Sequence, residues 1–247
     1  MIDRSLNYGR HLIKRYLQKS MPYKCVLDIG AGGGNDLMIA RQVNGTAKLF
    51  AVEIDDKNIT KLKSLGTEVY VANIERDDIP FRNETMDVVI ANRILEHNKE
   101  VFWIFHEITR VLPVGGKLIL GVPNLASLYN RLLLLLGRQP SSTKTASAHI
   151  RGFTKHDVMH FLNECFPGGY QLRGFGGSNF YPFPPILAKP LAKLFPNASW
   201  SIFLMLEKVQ NYDQQFLEYP IQHQLETNFW IGQAVHEKGK NENSIRL

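Results

Sequence analysis

The sequence of 247 residues contains little cysteine and no long apolar run. Its two cysteines, Cys25 and Cys165, lie far apart and form no Cys-x-x-Cys pattern, so we expect reduced thiols and a cytoplasmic location. The longest strongly apolar block, residues 132–136, is far shorter than the roughly 18 residues that a membrane-spanning helix needs, and no such helix is expected. The N-terminal region also lacks the apolar stretch of a signal peptide.

Charge of one sign is not concentrated anywhere in the chain. The 29 Lys and Arg residues exceed the 23 Asp and Glu residues, which gives a net charge of +6 and an isoelectric point of about 9.2. A groove for nucleic acid would need clustered cations, and these are scattered, so a nucleic-acid partner is disfavoured. Hydrophobic residues at 44% and charged residues at 21% are typical of a globular protein.

Apolar runs alternate with helical patterns through the first half of the chain. The runs VLDI, VVIA and LILGV are apolar apart from Asp28 in the first, as expected of strands buried on both faces. Strands that alternate with helices predict right-handed crossovers, so we expect an α/β, doubly wound, mostly parallel sheet. The predicted strands are 25–29, 48–54, 68–72, 86–92 and a turn-plus-strand over 113–123, and the predicted helices are 6–18, 35–43, 56–65 and 100–111.

The second half of the chain is less regular. We expect a helix over 124–137, a polar Ser/Thr-rich loop to 149, a helix over 154–166 that opens with a capping box, and strands over 170–177 and 199–209. The segment 179–197 carries five prolines and is expected to be irregular with at most short helices. The predicted organisation is an N-terminal helix (1–21), one domain (22–208) with cap or substrate segments at 124–150 and 177–198, and a polar C-terminal extension (209–247) whose last ten residues are disordered.

A glycine-rich stretch, VLDIGAGGGNDLMIA over residues 26–40, stands between a strand and a helix, an order typical of nucleotide sites lined by backbone. The dinucleotide fingerprint Gly-x-Gly-x-x-Gly fails in both registers, since its third glycine would fall on Asn35 or Leu37. A P-loop fails too, because no Gly-Lys-Ser/Thr follows. The spacing that fits is Asp-x-Gly-x-Gly-x-Gly, formed by Asp28, Gly30, Gly32 and Gly34.

This spacing resembles motif I of the class I S-adenosylmethionine-dependent methyltransferases, and later stretches resemble further motifs of the family in the same order. They are AVEIDD with Glu53, VANIERDDIPF with Asn73, MDVVIANRILEH, and ITRVLPVGGKLILGVPN, in which Pro-Val-Gly-Gly replaces the usual Lys-Pro-Gly-Gly. The resemblance covers about residues 22–124 and is closest to small-molecule enzymes of the "methyltransferase type 11" kind. It implies a Rossmann-like sheet of about seven strands with a helical or irregular cap.

The resemblance also implies S-adenosylmethionine as cofactor and a set of binding residues. Glu53 would accept hydrogen bonds from the ribose hydroxyls, Asn73 would contact the adenine amino group, Ile74 would pack on the adenine, and the carbonyl of Asn92 would accept from the ammonium group. The complete predicted set is Asp28, Gly30, Ala31, Gly32, Gly34, Glu53, Ile54, Asn73, Ile74 and Asn92.

Methylation of a hydroxyl group needs a general base, and histidine is the usual choice. His149 lies between the polar loop and a helix start, and His97 follows the predicted fourth strand, so both are candidate catalytic residues. Some relatives bind a divalent ion through Glu-x-x-Glu-His in this turn. Arg93 stands where the first glutamate would be, so no metal is predicted.

The acceptor is expected to be a small molecule, a glycan or a lipid-linked compound that is methylated on oxygen. Apolar segments flanked by basic residues, LYNRLLLLLG and PPILAKPLAKLF, raise the further expectation of peripheral contact with the inner membrane surface. Alternatives are a non-catalytic S-adenosylmethionine-binding scaffold and a nucleic-acid or protein methyltransferase. The sequence ANRI after the fourth strand differs from the Asp/Asn-Pro-Pro-Tyr/Phe of many DNA amino-methylating enzymes.

Overall fold

A computed structural model describes residues 3–231, which form a seven-stranded sheet covered by helices on both faces. The strand order is β3-β2-β1-β4-β5-β7-β6, and β7 runs in the direction opposite to the other six strands. The strands are β1 (Cys25–Ile29), β2 (Lys48–Val52), β3 (Glu68–Tyr70), β4 (Val88–Asn92), β5 (Lys117–Pro123), β6 (Tyr170–Ser178) and β7 (Ser201–Lys208). The predicted doubly wound, mostly parallel Rossmann-like sheet is confirmed.

Eight α-helices connect and cover the strands within the described residues. They are α1 (Arg10–Lys19), α2 (Asn35–Val43), α3 (Asp56–Ser64), α4 (Val101–Val111), α5 (Leu128–Leu135), α6 (Lys155–Cys165), α7 (Pro185–Leu194) and α8 (Gln215–Gln222). Short 3-10 helices are found at Arg4–Tyr8, Leu95–His97, Ser141–Thr143 and Pro196–Ala198. None of the helices between residues 3 and 231 is long and apolar enough to cross a membrane.

The alternation of side chains along each central strand divides the core into two layers. In β1, Leu27 and Ile29 face the layer that contains α4, α6 and α8, whereas Val26 faces the layer that contains α1 and α2. All three side chains are fully buried. Because both faces of the sheet are covered, the central strands are largely apolar, which is why their sequences were recognisable.

The strand order reverses direction between β1 and β4, and this reversal positions the site. The chain moves from β1 outward to β2 and β3, then returns to β4 on the other side of β1. The loops after β1 and β4 therefore diverge and leave a crevice at the carboxyl ends of the strands, where ligands bind in such sheets.

Several helix predictions differ from the structure. The predicted helix 6–18 is interrupted at Gly9, whose positive φ of 51° ends a 3-10 helix, and α1 begins only at Arg10. The predicted helix 124–137 begins at residue 128, because Asn124 accepts a hydrogen bond from the amide of Ala126 and Ser127 caps α5.

Two helices occur in segments for which no long helix was predicted. The proline-rich segment 179–197 contains the ten-residue α7, which tolerates Pro185 in its first turn and Pro190 further along. The polar tail contains α8, which packs on α4 and buries Phe216 completely in the core. The predicted disorder of the last ten residues lies outside the described part of the chain.

Candidate active site

The glycine-rich turn joins β1 to α2, and two of its glycines are required for different reasons. Gly30 has a φ of +67°, and a Cβ there would lie 2.6 Å from Cδ1 of Ile94, so the turn and the β4 loop can approach only without a side chain. Gly32 has a φ of +51°, but a Cβ there would meet no atom within 4 Å. The space beside Gly32 is therefore open, as expected where a ligand lies against the backbone.

A cavity of about 440 Å³ opens over this turn, between the ends of β1 and β4. Seven of the predicted site residues line it: Asp28, Gly30, Ala31, Gly32, Asn92, His97 and His149. The other lining residues are Tyr8, Arg10, Gly33, Asn35, Asp36 and Arg93. Five predicted residues, Gly34, Glu53, Ile54, Asn73 and Ile74, lie outside this lining.

Glu53 lies at the end of β2 and is connected to the cavity through the glycine turn. One carboxylate oxygen accepts a hydrogen bond from the amide of Gly32 at 2.7 Å, and the other accepts from the amides of Ile54 and Asp55, both at 2.9 Å. The side chain is buried, whereas Ile54 exposes 62% of its surface. Glu53 thus ties the turn to β2, and Ile54 presents an unpacked apolar side chain at the same strand end.

Asn73 and Ile74 follow β3, one strand further from the cavity. The Asn73 side chain accepts a hydrogen bond from the backbone amide of Glu75 at 3.0 Å, and the backbone amide of Asn73 donates to the Asp77 carboxylate at 2.8 Å. Ile74 is partly buried against the core. This arrangement builds a turn at the same sheet edge as Glu53, while direct contact of either residue with a cofactor stays a prediction.

Two buried carboxyl groups line the cavity close to each other. Asp28, at the end of β1, is only 3% exposed, and Asp36 lies in the first turn of α2. Burial raises the pKa of Asp28 well above its ordinary value, and the neighbouring Asp36 and Glu53 raise it further. Burial also raises the pKa of Asp36, although its hydrogen bond with Asn92 and the charge of Arg10 act in the opposite direction. A positive charge bound here would stabilise the ionised carboxylates.

Several polar atoms around these acids lack a hydrogen bond among the described residues. The Asn92 amide donates to Asp36 at 2.7 Å and to the carbonyl of Tyr8 at 3.2 Å, but its Oδ1 atom has no partner. The same holds for Oδ1 of Asp36, for Nε of Arg10, which lies 3.7 Å from that oxygen, and for Nη1 of Arg93. Buried polar groups normally have partners, so this set marks a site prepared for a polar ligand.

Sequence reasoning missed the contribution of the N-terminal segment. The guanidinium of Arg10 lies over the ring of Tyr8, 4.8 Å from its centroid, and both residues border the cavity. Asp36 was missed as well, although an acidic side chain in the first turn after a glycine motif is a usable signal. Tyr8 and Arg10 carried no comparable signal, because they reach the site only through the packing of α1 on α2.

The two candidate bases lie together at the cavity. The rings of His97 and His149 meet edge to face with centroids 4.7 Å apart. The chain after His149 is fixed to the turn that carries His97, since the amide of Ile150 donates to the carbonyl of Glu96 at 2.8 Å. The segment containing His149 therefore has a defined place beside the β4 turn, and the polar loop before it is anchored.

Glu96 is completely buried beside this histidine pair. Glu96, His97 and His149 each offer one potential metal-ligating atom, and these atoms lie within 4.8 Å of one another. Nε of Arg93 also lies 3.1 Å from a Glu96 oxygen, so a guanidinium already supplies positive charge to this carboxylate. The predicted absence of a metal stays a prediction, and these three side chains are where a metal would bind.

Comparison with known proteins agrees with this geometry. A family model described as a methyltransferase domain matches residues 27–120, the part of the chain that holds the glycine turn, Glu53 and the β4 loop. Residues 27–120 thus match a methyltransferase domain of the class I S-adenosylmethionine-dependent family. The cofactor expected from the motifs, S-adenosylmethionine, is the cofactor of this family.

Individual relatives of this chain differ in what they are named as modifying. The chain is 34% identical over 87 residues to the ribosomal protein L11 methyltransferase of Dictyoglomus turgidum, covering 34% of this chain and 28% of that protein. It is 26% identical over 113 residues to the probable tRNA methyltransferase 9B of Bos taurus, covering 44% and 24%. These matches span less than a third of either relative's length.

A solved structure shares the fold over most of this chain. The structure of a possible histamine N-methyltransferase from Thermotoga maritima has a TM-score of 0.57 at 15% identity, covering 82% of this chain and 90% of that one. At this identity the likeness concerns the fold alone. The acceptor must therefore be inferred from this chain's own side chains.

Proposed function

We propose that this methyltransferase transfers the methyl group of S-adenosylmethionine to a hydroxyl oxygen of a small-molecule, glycan or lipid-linked acceptor. The observation that carries the proposal is the histidine pair, His97 and His149, on the lining of the cavity formed by the glycine turn. A base at that place suits a hydroxyl acceptor, which must lose a proton when it is methylated.

The cavity lining fits the methionine end of the cofactor, which carries an ammonium and a carboxylate. Asp28 and Asp36 offer carboxyl groups to a cation, and Arg10 and Arg93 offer guanidinium groups to an anion. Glu53, through its place at the end of β2, would accept from the ribose hydroxyls. When bound, S-adenosylmethionine supplies an electrophilic methyl group, so the protein's task is to align the acceptor oxygen and exclude water.

In this proposal one histidine of the pair takes the proton from the hydroxyl group of the methyl acceptor, and the other histidine orients the first. The contact between their rings makes His149, the partly buried member, the better shielded base. His97 lies on the turn after β4 and, like Arg93, lines the cavity proposed to hold the cofactor. Replacing His97 should therefore disturb cofactor binding as well as turnover.

We further propose that no metal ion takes part. A bound cation beside Glu96 would have to compete with the Arg93 guanidinium, 3.1 Å from the same carboxylate. Turnover should persist after dialysis against EDTA. If chelation abolished turnover and magnesium or zinc restored it, Glu96, His97 and His149 would be assigned as its ligands.

The direct test is methyl transfer from labelled S-adenosylmethionine to extracts and fractionated small molecules, followed by identification of the labelled product. Label on the oxygen of a low-molecular-weight compound supports the proposal. Label on RNA or protein would favour the activities named for the curated relatives. Cofactor binding without transfer to any fraction would favour a non-catalytic scaffold.

Peripheral membrane contact is a separate proposal, supported by exposed apolar side chains on α5 and α7. Leu135, Leu136 and Ile186 expose 82%, 71% and 80% of their surfaces, next to basic residues such as Arg138 and Lys189. The protein should sediment with vesicles that contain phosphatidylglycerol, and the double substitution Leu135→Ser with Leu136→Ser should reduce the bound fraction. Substitution of the exposed Val114, in a turn before β5, is the matched control, and equal binding by all variants would contradict the proposal.

A further inference from the structure

A second cavity of about 350 Å³ lies beside the first, and Arg93 lines both. Its lining includes three basic residues, Arg4, Arg93 and Lys144, and no carboxylate. The remaining lining residues are neutral. The lining of this cavity therefore has an excess of basic side chains, in contrast to the first cavity, where two carboxyl groups are present.

Three aromatic side chains form one wall of this cavity. Tyr181 contacts Tyr129 edge to face, with ring centroids 4.6 Å apart, and lies 5.1 Å from the ring of Trp200. All three residues are partly exposed, so their rings present surface to the cavity. Aromatic faces of this kind pack favourably on planar rings and on the apolar faces of sugars.

Arg93, at the junction of the two cavities, is held in a strained conformation. Its φ of +62° lies in the left-handed region, which non-glycine residues rarely adopt and which is concentrated at functional sites. Nε of Arg93 faces the buried Glu96, while its buried Nη1 has no hydrogen-bond partner among the described residues. The backbone thus places a guanidinium with an unused donor between the two cavities.

We propose that this second cavity binds the methyl acceptor, and that the acceptor is a ring compound carrying an anionic group, a phosphate or a carboxylate. The inference rests on the proposed methyltransferase activity and specifies its substrate class. The ring packs on Tyr129, Tyr181 and Trp200, and the anion lies among the basic side chains of Arg4, Lys144 and Arg93. Since Arg93 also borders the cofactor cavity, an acceptor held there lies next to the histidine pair.

The size and charge of the cavity favour this class over others. A volume of about 350 Å³ matches a compound of one or two rings and falls at the small end for ligand pockets. A cationic acceptor would meet Arg4, Lys144 and Arg93, of which only Arg93 is paired with a carboxylate, and no acid on the lining itself. Guanidinium groups, by contrast, pair well with phosphate and carboxylate oxygens.

The test uses the full chain saturated with S-adenosylhomocysteine and four probes: phenyl phosphate, benzoate, phenol and inorganic phosphate. Affinities are measured by ligand-observed NMR titration. Phenyl phosphate or benzoate should bind at least about 5-fold more tightly than phenol and than inorganic phosphate, because only these two combine ring and charge. The comparison of phenyl phosphate with benzoate tells which anion the site prefers.

Variants separate the two parts of the cavity. Arg4→Gln with Lys144→Gln should weaken phenyl phosphate about 5- to 10-fold and leave phenol unchanged, because only charge is removed. Lys63→Gln with Arg82→Gln removes the same charge at a distance and should change neither. Tyr181→Leu should weaken every ring probe. If that variant fails to fold, the exposed Arg4 and Lys144 still decide the question.

Calorimetry of S-adenosylhomocysteine binding on each variant distinguishes this inference from the proposed function. Failure of the wild-type chain to bind S-adenosylhomocysteine would refute the proposed function itself. With cofactor binding intact, equal affinity for phenol and phenyl phosphate would overturn the inference. The inference would also be overturned if Arg4→Gln with Lys144→Gln and Lys63→Gln with Arg82→Gln lost equal affinity for phenyl phosphate. Tight binding of a single-stranded RNA oligomer that depends on Arg4 and Lys144 would overturn it as well.

Discussion

Replacing Glu53 by alanine should weaken binding of S-adenosylhomocysteine about 30- to 150-fold. Glu53 is a buried carboxylate that accepts three backbone hydrogen bonds, one of them from the glycine turn at 2.7 Å. In the proposed complex it also accepts from the two ribose hydroxyls. The substitution therefore removes ligand contacts and loosens the turn that borders the cavity.

The magnitude follows from the number and type of these bonds. A hydrogen bond to a charged acceptor contributes about 1.5–3 kcal/mol. Two such bonds to ribose set an upper range of about 3–6 kcal/mol, and water that enters the space left by Glu53 compensates part of it. We expect a net loss of about 2–3 kcal/mol in binding free energy, which gives the stated change in Kd.

The assay is calorimetric titration, with Asp55→Ala as the matched control. Asp55 is the neighbouring acid, and its side chain caps α3 by accepting from the amides of Lys57 and Asn58 at 3.0 Å. Its loss should lower the free energy of unfolding by about 1 kcal/mol with little change in cofactor affinity. Glu53→Gln, which keeps the size of the side chain, should fall between wild type and Glu53→Ala.

Urea unfolding of each variant shows whether it is folded at the temperature of the titration. The reasoning fails if folded Glu53→Ala binds S-adenosylhomocysteine within 3-fold of wild type, or if Asp55→Ala loses as much affinity, since the effect would then belong to the loop as a whole.

Three further predictions concern the same cavity. The raised pKa values of Asp28 and Asp36 imply that the ligand-free protein loses stability as the pH rises from about 4 through these pKa values, because both carboxyl groups then ionise while buried. Binding of the ammonium group should release these protons, so the affinity for S-adenosylhomocysteine should increase with pH over this window, by up to about tenfold per pH unit per proton. An affinity that calorimetry finds independent of pH would contradict this prediction. His149→Ala should lower kcat by roughly 10²–10⁴-fold with little effect on cofactor affinity, whereas His97→Ala should change both, and full turnover of His149→Ala on the true acceptor would move the base to His97. Gly32→Val places a branched side chain in the open space beside the turn, at a residue with a φ of +51°. The affinity for S-adenosylhomocysteine should therefore fall at least as much as in Glu53→Ala. Normal binding by the folded variant would show that the ligand does not lie against Gly32.

Much of the parallel half of the fold was predictable from sequence. Strand β1 and helix α2 have the predicted bounds, because the buried strand is apolar apart from Asp28 and the glycines end it abruptly. Thr154 caps α6 by accepting from the amide of Asp157, as the capping box predicted. These features depend on neighbours in sequence, so local patterns were sufficient.

The missed features depend on contacts between distant parts of the chain. Helix α8 contains polar residues and Pro220, and it forms because Phe216 enters the core beneath α4. The aromatic wall of the second cavity joins Tyr129, Tyr181 and Trp200 from three separate segments, which no short motif could indicate.

The edge-to-face contact of His97 and His149 was also outside the reach of sequence reasoning. Each histidine was predicted as a separate candidate, and the hydrogen bond from Ile150 to the Glu96 carbonyl brings the two together. The individual site residues were thus largely found from local sequence, whereas the contacts that tertiary packing creates between them were not.

The most direct test of the central claim, that the cavity over the glycine turn binds S-adenosylmethionine, is calorimetric titration of the full chain with S-adenosylmethionine, S-adenosylhomocysteine and NAD under one condition. Both sulfur compounds should bind with Kd values on the order of micromolar, and NAD should show no binding. Binding of NAD without binding of either sulfur compound would contradict the account.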